Sequence, residues 1–139
     1  MGKIKKVYLA ISYANRGFFD VEVETLKQFF RQNNIEILVF VDKYNFGTGQ
    51  EKEMMQKAFE AIDSADILIA ELTTRSIGVG IEIGYACARK KPVIYLRKEG
   101  AEYATTAAGS STHIIEYKNA SDLRESLNEI IQRYQNKYN

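Results

Sequence analysis

The sequence predicts an α/β domain, a five-stranded parallel sheet with helices on both faces. Two observations carry this. Short apolar runs alternate along the chain with longer stretches whose apolar residues recur at helical spacing. The run Asp66 to Leu72, DILIAEL, is almost continuously apolar, as expected of a strand covered on both sides. At 139 residues the chain fits one domain with a sizeable core, and no repeat, low-complexity tract or linker divides residues 1–139.

The elements follow in order. Val7 to Ile11 (VYLAI) has the length and composition of a strand. Asp20 to Asn33 places Val23, Leu26, Phe29 and Phe30 at helical spacing, with Asn33 and Asn34 as the stop. Ile35 to Val41 reads as the second strand. A polar loop, Asp42 to Gln50, leads to a helix over Glu51 to Asp63 with Met54, Met55, Ala58, Phe59 and Ile62 on its inner side. Asp66 to Leu72 is the third strand. A helix over roughly Gly80 to Arg89 follows, then strands at Pro92 to Leu96 and Thr112 to Tyr117. Ser121 is the expected cap of a last helix carrying Leu123, Leu127, Ile130, Ile131 and Tyr134. For five βα units the simplest arrangement is the flavodoxin-like three-layer sandwich, strand order 2-1-3-4-5. Its ligand crevice opens at the carboxyl ends of strands 1 and 3, where the order reverses.

Hydrophobic residues make up 45% and charged residues 27%, and the formal net charge is +1. That balance provides no broad field for a nucleic-acid polymer or a membrane surface. The basic start (Lys3, Lys5, Lys6) reads as a solvated tail. Without an apolar run of membrane-spanning length or a signal-like core, the expected location is cytoplasmic. The single cysteine, Cys87, has no internal disulfide partner, fits a reducing compartment and reads as a packing residue. No metal site and no cofactor are expected.

The crevice rule brings three segments together. Strand 1 ends in Ser12, Tyr13, Asn15 and Arg16. Strand 3 ends in Glu71. The stretch SIGVGIEIGYACA then supplies Gly78 and Gly80, followed by Glu82 in an expected first helical turn. The glycines let backbone approach a ligand. The helix N-terminus favours an ionised Glu82, and the small residues after it suit close packing on the sheet. A carboxylate in an apolar crevice can act as a nucleophile or stabilise an oxocarbenium ion. Acidic residues also occur in first turns simply because the dipole favours them, so spacing alone leaves both readings of Glu82 open. Arg16 reads equally as a phosphate ligand or a surface cation. Glu71 reads as a site carboxylate or an acid closing a strand at the surface.

The run ADILIAELTTRSIGVGIEIGYACARKKPVIYL, Ala65 to Leu96, resembles the nucleoside 2-deoxyribosyltransferase superfamily, which includes 2'-deoxynucleoside 5'-phosphate N-hydrolases. The likeness is most specific over GVGIEIGYA. It implies cleavage of an N-glycosidic bond, or transfer of a base, on a nucleoside, deoxynucleoside or nucleotide. It assigns Glu82 as the nucleophile that attacks the anomeric carbon, and it implies sugar or phosphate contacts from the strand 1 loop, here Ser12, Tyr13, Asn15 and Arg16. It further implies a homo-oligomer with a shared site, to which Ser110, Ser111 and His113 of a neighbouring subunit would contribute.

One position departs from the family pattern. Where the family carries an aspartate on the second helix, this chain has Ala58, and no ionisable neighbour shares that helical face. Two classes therefore stay open: an N-glycosidic enzyme, with Glu71 as a substitute carboxylate, and a catalytically silent nucleotide-binding domain. A Toll/interleukin-receptor-like domain is disfavoured by the GVGIEIGYA match. A phosphoacceptor receiver is disfavoured because no aspartate closes strand 1.

Overall fold

The computed structural model describes residues 2–136. Strands β1 (Lys6–Ile11), β2 (Glu36–Val39), β3 (Ile67–Glu71), β4 (Val93–Lys98) and β5 (His113–Tyr117) form one sheet of order β2-β1-β3-β4-β5. Every adjacent pair is parallel. The expected topology is the observed one, and β1 and β3 lie side by side at the switch point.

Successive strand residues face opposite sides of the sheet. Val7, Leu9 and Ile11 of β1 join Ile67 and Ile69 of β3 in a core closed by helices α1 (Asp20–Gln32) and α6 (Ala120–Asn136). Tyr8 and Ala10 join Leu68 and Ala70 in a second core, closed by α3 (Glu51–Ser64) and α4 (Ile77–Ala88). On α1 the buried stripe is Val23, Leu26, Phe29 and Phe30, and each such side chain contributes about 1.5–3 kcal/mol by leaving water. The helix stops where the sequence indicated: Asn34 adopts φ 57°, the left-handed conformation in which asparagine often ends helices.

Several boundaries differ from expectation for local reasons. The second strand ends at Val39, and Phe40–Lys43 turns into a short helix, α2. Phe40 there lies against Tyr8 and Tyr44, with ring centroids 5.9 and 5.0 Å away. A 3-10 turn, Arg16–Phe19, precedes α1, and a short helix α5 (Thr105–Gly109) precedes β5. Asn119, not Ser121, caps α6: its side-chain oxygen accepts the Asp122 N–H at 2.9 Å.

Helix α4 differs most from expectation. It begins at Ile77 rather than near Gly80, because Ser76 caps it by accepting the Val79 N–H at 3.2 Å. Glu82 is consequently in the second turn, where the helix dipole has largely faded. The sheet-facing residues are Val79, Ile83 and Ala86. Gly80, Gly84, Cys87 and Ala88 are exposed on the outer side. Of the small residues after Glu82, Ala86 packs on the sheet while Gly84, Cys87 and Ala88 face outward, so Cys87 is not a core residue.

Candidate active site

A cavity of about 590 Å³ opens between the carboxyl end of β1, α2, α3 and the start of α4. Its floor holds Ser12 and Glu82. One wall is built from Phe40, Tyr44, Phe46, Met54, Met55 and Ala58. The opposite rim is Arg75, Ser76, Ile77 and Gly78. The period-2 alternation of β1 explains the floor: Tyr8, Ala10 and Ser12 point to this side, and α4 lies over them.

Glu82 is partly buried, and its carboxylate accepts a hydrogen bond from the Tyr8 hydroxyl. Two effects oppose each other. Burial disfavours the charged form, while the Tyr8 hydrogen bond favours it. Burial wins, and the Glu82 carboxyl is pushed up to about 7. The same environment pushes the Tyr8 phenol far above its ordinary value, through burial first and the nearby carboxylate second. Tyr8 is therefore a fixed donor and Glu82 a group that titrates near neutrality. The sequence expectation that the helix dipole would favour ionised Glu82 does not hold, because the group is a turn too far in and half out of water.

The aromatic wall is ordered. The Phe40 and Phe46 rings stack at 6.2 Å, and Tyr44 tilts against Phe46 at 6.2 Å. Planar rings with two methionine side chains suit a flat heterocycle. Ala58 is buried against this wall, with no carboxylate beside it. Among the described residues lining the cavity, Glu82 is the one carboxylate.

The other candidate residues separate into groups. Ser12, Tyr13 and Gly78 line the cavity. The Asn15 side chain instead donates to Thr74 Oγ1 at 3.2 Å, while its backbone N–H donates to Ser12 Oγ at 3.2 Å, so it fastens two loops together. Arg16 does not line the cavity. Its guanidinium donates to Asp42 at 2.8 and 2.9 Å and to Asp20 at 2.9 Å, which occupies its charge. The cation at the rim is Arg75, paired with Glu102 and exposed, and sequence reasoning missed it. Its position directly before the Ser76 cap was the available signal.

Glu71 is neither a surface acid nor a neighbour of Glu82. It is buried on the opposite side of the sheet, beside Ile67 and Ile69 in alternation, where it accepts the Tyr117 hydroxyl at 2.5 Å. Gly80 and Ser110 line an adjoining cavity of about 330 Å³ between α4 and α5, which shares Arg75, Ser76 and Ile77 with the first. Ser110 and Ser111 donate back to Thr106 and Ala107 carbonyls of α5, at 2.9 and 2.6 Å. His113 begins β5 at the amino edge of the sheet, with Nε2 2.8 Å from the Tyr134 hydroxyl. Within one chain it is remote from Glu82. Among the described residues no group of three or more His, Cys, Asp or Glu is placed to hold a metal ion, and no helix is long and apolar enough to cross a membrane.

Fold and site together define a doubly wound α/β protein whose crevice, at the β1/β3 switch point, closes over a half-buried glutamate. The chain belongs to the nucleoside 2-deoxyribosyltransferase family, whose model matches residues 7–131. A Methanosarcina mazei protein provisionally named 2'-deoxynucleoside 5'-phosphate N-hydrolase 1 is 35% identical over 81 residues, 58% of this chain and 50% of that protein. A 5-hydroxymethyl-dUMP N-hydrolase of Branchiostoma floridae is 34% identical over 53 residues, 38% of this chain and 50% of that protein. The chain thus spans about half the length of these curated relatives. Among solved structures, Clostridium botulinum CMP N-glycosidase BcmB superposes with a TM-score of 0.66 at 26% identity, covering 90% of this chain and 99% of that one. A 2-deoxyribosyltransferase of Bacillus psychrosaccharolyticus shares the fold, with a TM-score of 0.69 at 19% identity over 86% and 90% of the two chains.

Proposed function

We propose that this protein cleaves the N-glycosidic bond of a nucleoside 5'-monophosphate, with Glu82 as nucleophile. The observation that carries the reading is the Glu82 carboxylate, held by Tyr8 at the floor of a cavity with an aromatic wall on one side and a helix start on the other. The ionised carboxylate attacks the anomeric carbon of the sugar, and the base departs with the bonding electrons and takes up a proton. Water then hydrolyses the glycosyl ester, or a second base resolves it. The heterocycle lies against Phe40, Tyr44 and Phe46. Ser12 and Tyr13 serve the sugar. The anionic end meets the N–H groups at the start of α4, near Gly78, with Arg75 at the rim. The names of the hydrolase and glycosidase relatives favour a monophosphate over a free nucleoside.

The testing experiment incubates the protein with nucleosides, deoxynucleosides and their monophosphates and measures free base by chromatography. Base release that vanishes in Glu82→Gln supports the reading, and unchanged turnover in that variant refutes it.

One observation favours a second reading, a silent nucleotide-binding domain: Ala58 leaves the base wall without a proton-handling group. In that case monophosphates bind and no base appears. A homo-oligomer belongs to the first reading. Its support is the outer side of α4, where Ile77 and Ile81 are 85% and 48% exposed on a helix apolar on nearly all sides. A fully active monomer at micromolar concentration would count against it.

A further inference from the structure

Among the described residues two buried acids, Glu22 and Glu71, stand outside the mechanism. Glu71 closes β3 and is 2% exposed, yet it faces away from the cavity. One carboxylate oxygen accepts the Thr73 N–H at 2.5 Å, and the other accepts the Tyr117 hydroxyl at 2.5 Å. Thr73 is fixed a second time, because its Oγ1 accepts the Lys98 N–H at 3.0 Å. Lys98 Nζ in turn pairs with Glu22 of α1 at 2.9 Å. Next along the chain, Thr74 Oγ1 accepts the Asn15 amide from the β1 loop. Two residues later Ser76 caps α4, the helix that carries Glu82.

We infer that Glu71 is a positioning residue: it clamps the first turn after β3 to the end of β5 and so sets where α4 begins and where Glu82 stands. The physical case is the number of groups satisfied. The chain leaves the sheet after Leu72, whose N–H still makes a ladder bond to Leu96 O at 3.0 Å. The next N–H, on Thr73, has no strand to bond. Glu71 supplies that acceptor from two residues back, in the manner of a side chain closing its own turn. A buried N–H without an acceptor is costly, and the turn would have to open to find water. Charge alone does not explain the residue. Glu22 lies close enough to oppose its ionisation, and burial opposes it more strongly.

The function above enters only the kinetic arm of the test. The first readout is amide hydrogen exchange of the ligand-free protein over residues 73–80, in wild type, Glu71→Leu and Glu71→Gln. Leucine removes both acceptors. Glutamine keeps one for Thr73 and donates its amide to the Tyr117 oxygen. Exchange in this segment is expected to accelerate on the order of tenfold in Glu71→Leu, with β3 and β4 unchanged, and to stay within about threefold of wild type in Glu71→Gln. Unchanged exchange in the leucine variant overturns the inference. So does a glutamine variant as fast as leucine, since that would make the charge and not the clamp decisive. Should Glu71→Leu not fold, Tyr117→Phe removes one of the two ties, and unaltered exchange there overturns the inference equally. In the kinetic arm, kcat for base release is expected to fall roughly 10- to 100-fold in Glu71→Leu, with a smaller rise in KM and rescue by glutamine. If the wild type releases no base, the proposed activity fails while the exchange result still decides the role of Glu71.

Discussion

The Tyr8 hydroxyl reaches the Glu82 carboxylate across 74 residues of sequence. This contact joins β1 to α4 above it and sets the chemistry of the cavity floor. Because burial outweighs the hydrogen bond, Glu82 is half protonated near neutrality. Only the ionised form can attack carbon.

Base release should therefore rise with pH through about 7 and level off above it. Tyr8→Phe removes the one group that favours the ionised carboxylate. The ascending limb should move to higher pH, with a loss of about tenfold at pH 7 that shrinks at pH 9. A limb that stays in place would show that Tyr8 does not tune Glu82.

Glu82 also links stability to pH. Its folded value lies above the ordinary 4.5, so the folded state holds the proton more tightly. That contribution is fully present below pH 4.5 and is lost as pH rises to about 7. Glu82→Gln has no such proton to lose. Relative to wild type it should gain up to roughly 3 kcal/mol between pH 4 and pH 8, read from urea midpoints at each pH. Parallel curves for the two proteins would contradict this assignment of the titrating group.

At the cavity rim, Arg75 is the cation that lines the cavity, held by an exposed pairing with Glu102 that an anionic substrate can displace, whereas Arg16 lies off the cavity and is paired with Asp42 and Asp20. Arg75→Ala should raise KM for a monophosphate by about tenfold and leave KM for the matching nucleoside nearly unchanged. Equal effects on both substrates would move the phosphate elsewhere.

The fold was legible because alternation of strand and helix, together with the buried run at β3, is a local signal. The strand order followed from the connection rules. Glu82 was legible through GVGIEIGYA, but its environment was not. Its burial depends on Tyr8, and no local pattern pairs residue 8 with residue 82. Glu71 shows the same limit. Its type and position suggested a site, but the strand alternation that carries Ile67 and Ile69 turns it to the other face. Arg16 stayed open between phosphate ligand and surface cation because its partner Asp42, in the short helix α2, reads in the sequence as part of a polar loop with no periodicity to place it. Ser76 was missed as a cap, and with it the start of α4, because the glycines after it suggested a later beginning.

At Ala58 the family pattern and the residue disagree. The structure puts this methyl group on the aromatic wall of the cavity, buried and beside Met54 and Met55. Glu82 is the one lining carboxylate among the described residues, and under the proposed mechanism it is spent as the nucleophile, which leaves no lining carboxylate to give a proton to a departing base. Restoring an acid here tests whether the missing proton limits the rate. Ala58→Asp places a carboxyl group in partly apolar surroundings, where burial raises its affinity for a proton. It should cost stability in the empty protein, about 1–3 kcal/mol, since the group gains no partner. The same surroundings would make it a proton donor near neutral pH. Base release should therefore increase by one to two orders of magnitude if the domain is a slowed enzyme. Its pH profile should also gain a descending limb as the new acid ionises. A variant that folds and binds monophosphate but shows no gain would favour the silent binding domain. Wild-type turnover already at about one to a thousand per second would mean that the base leaves without help from this wall.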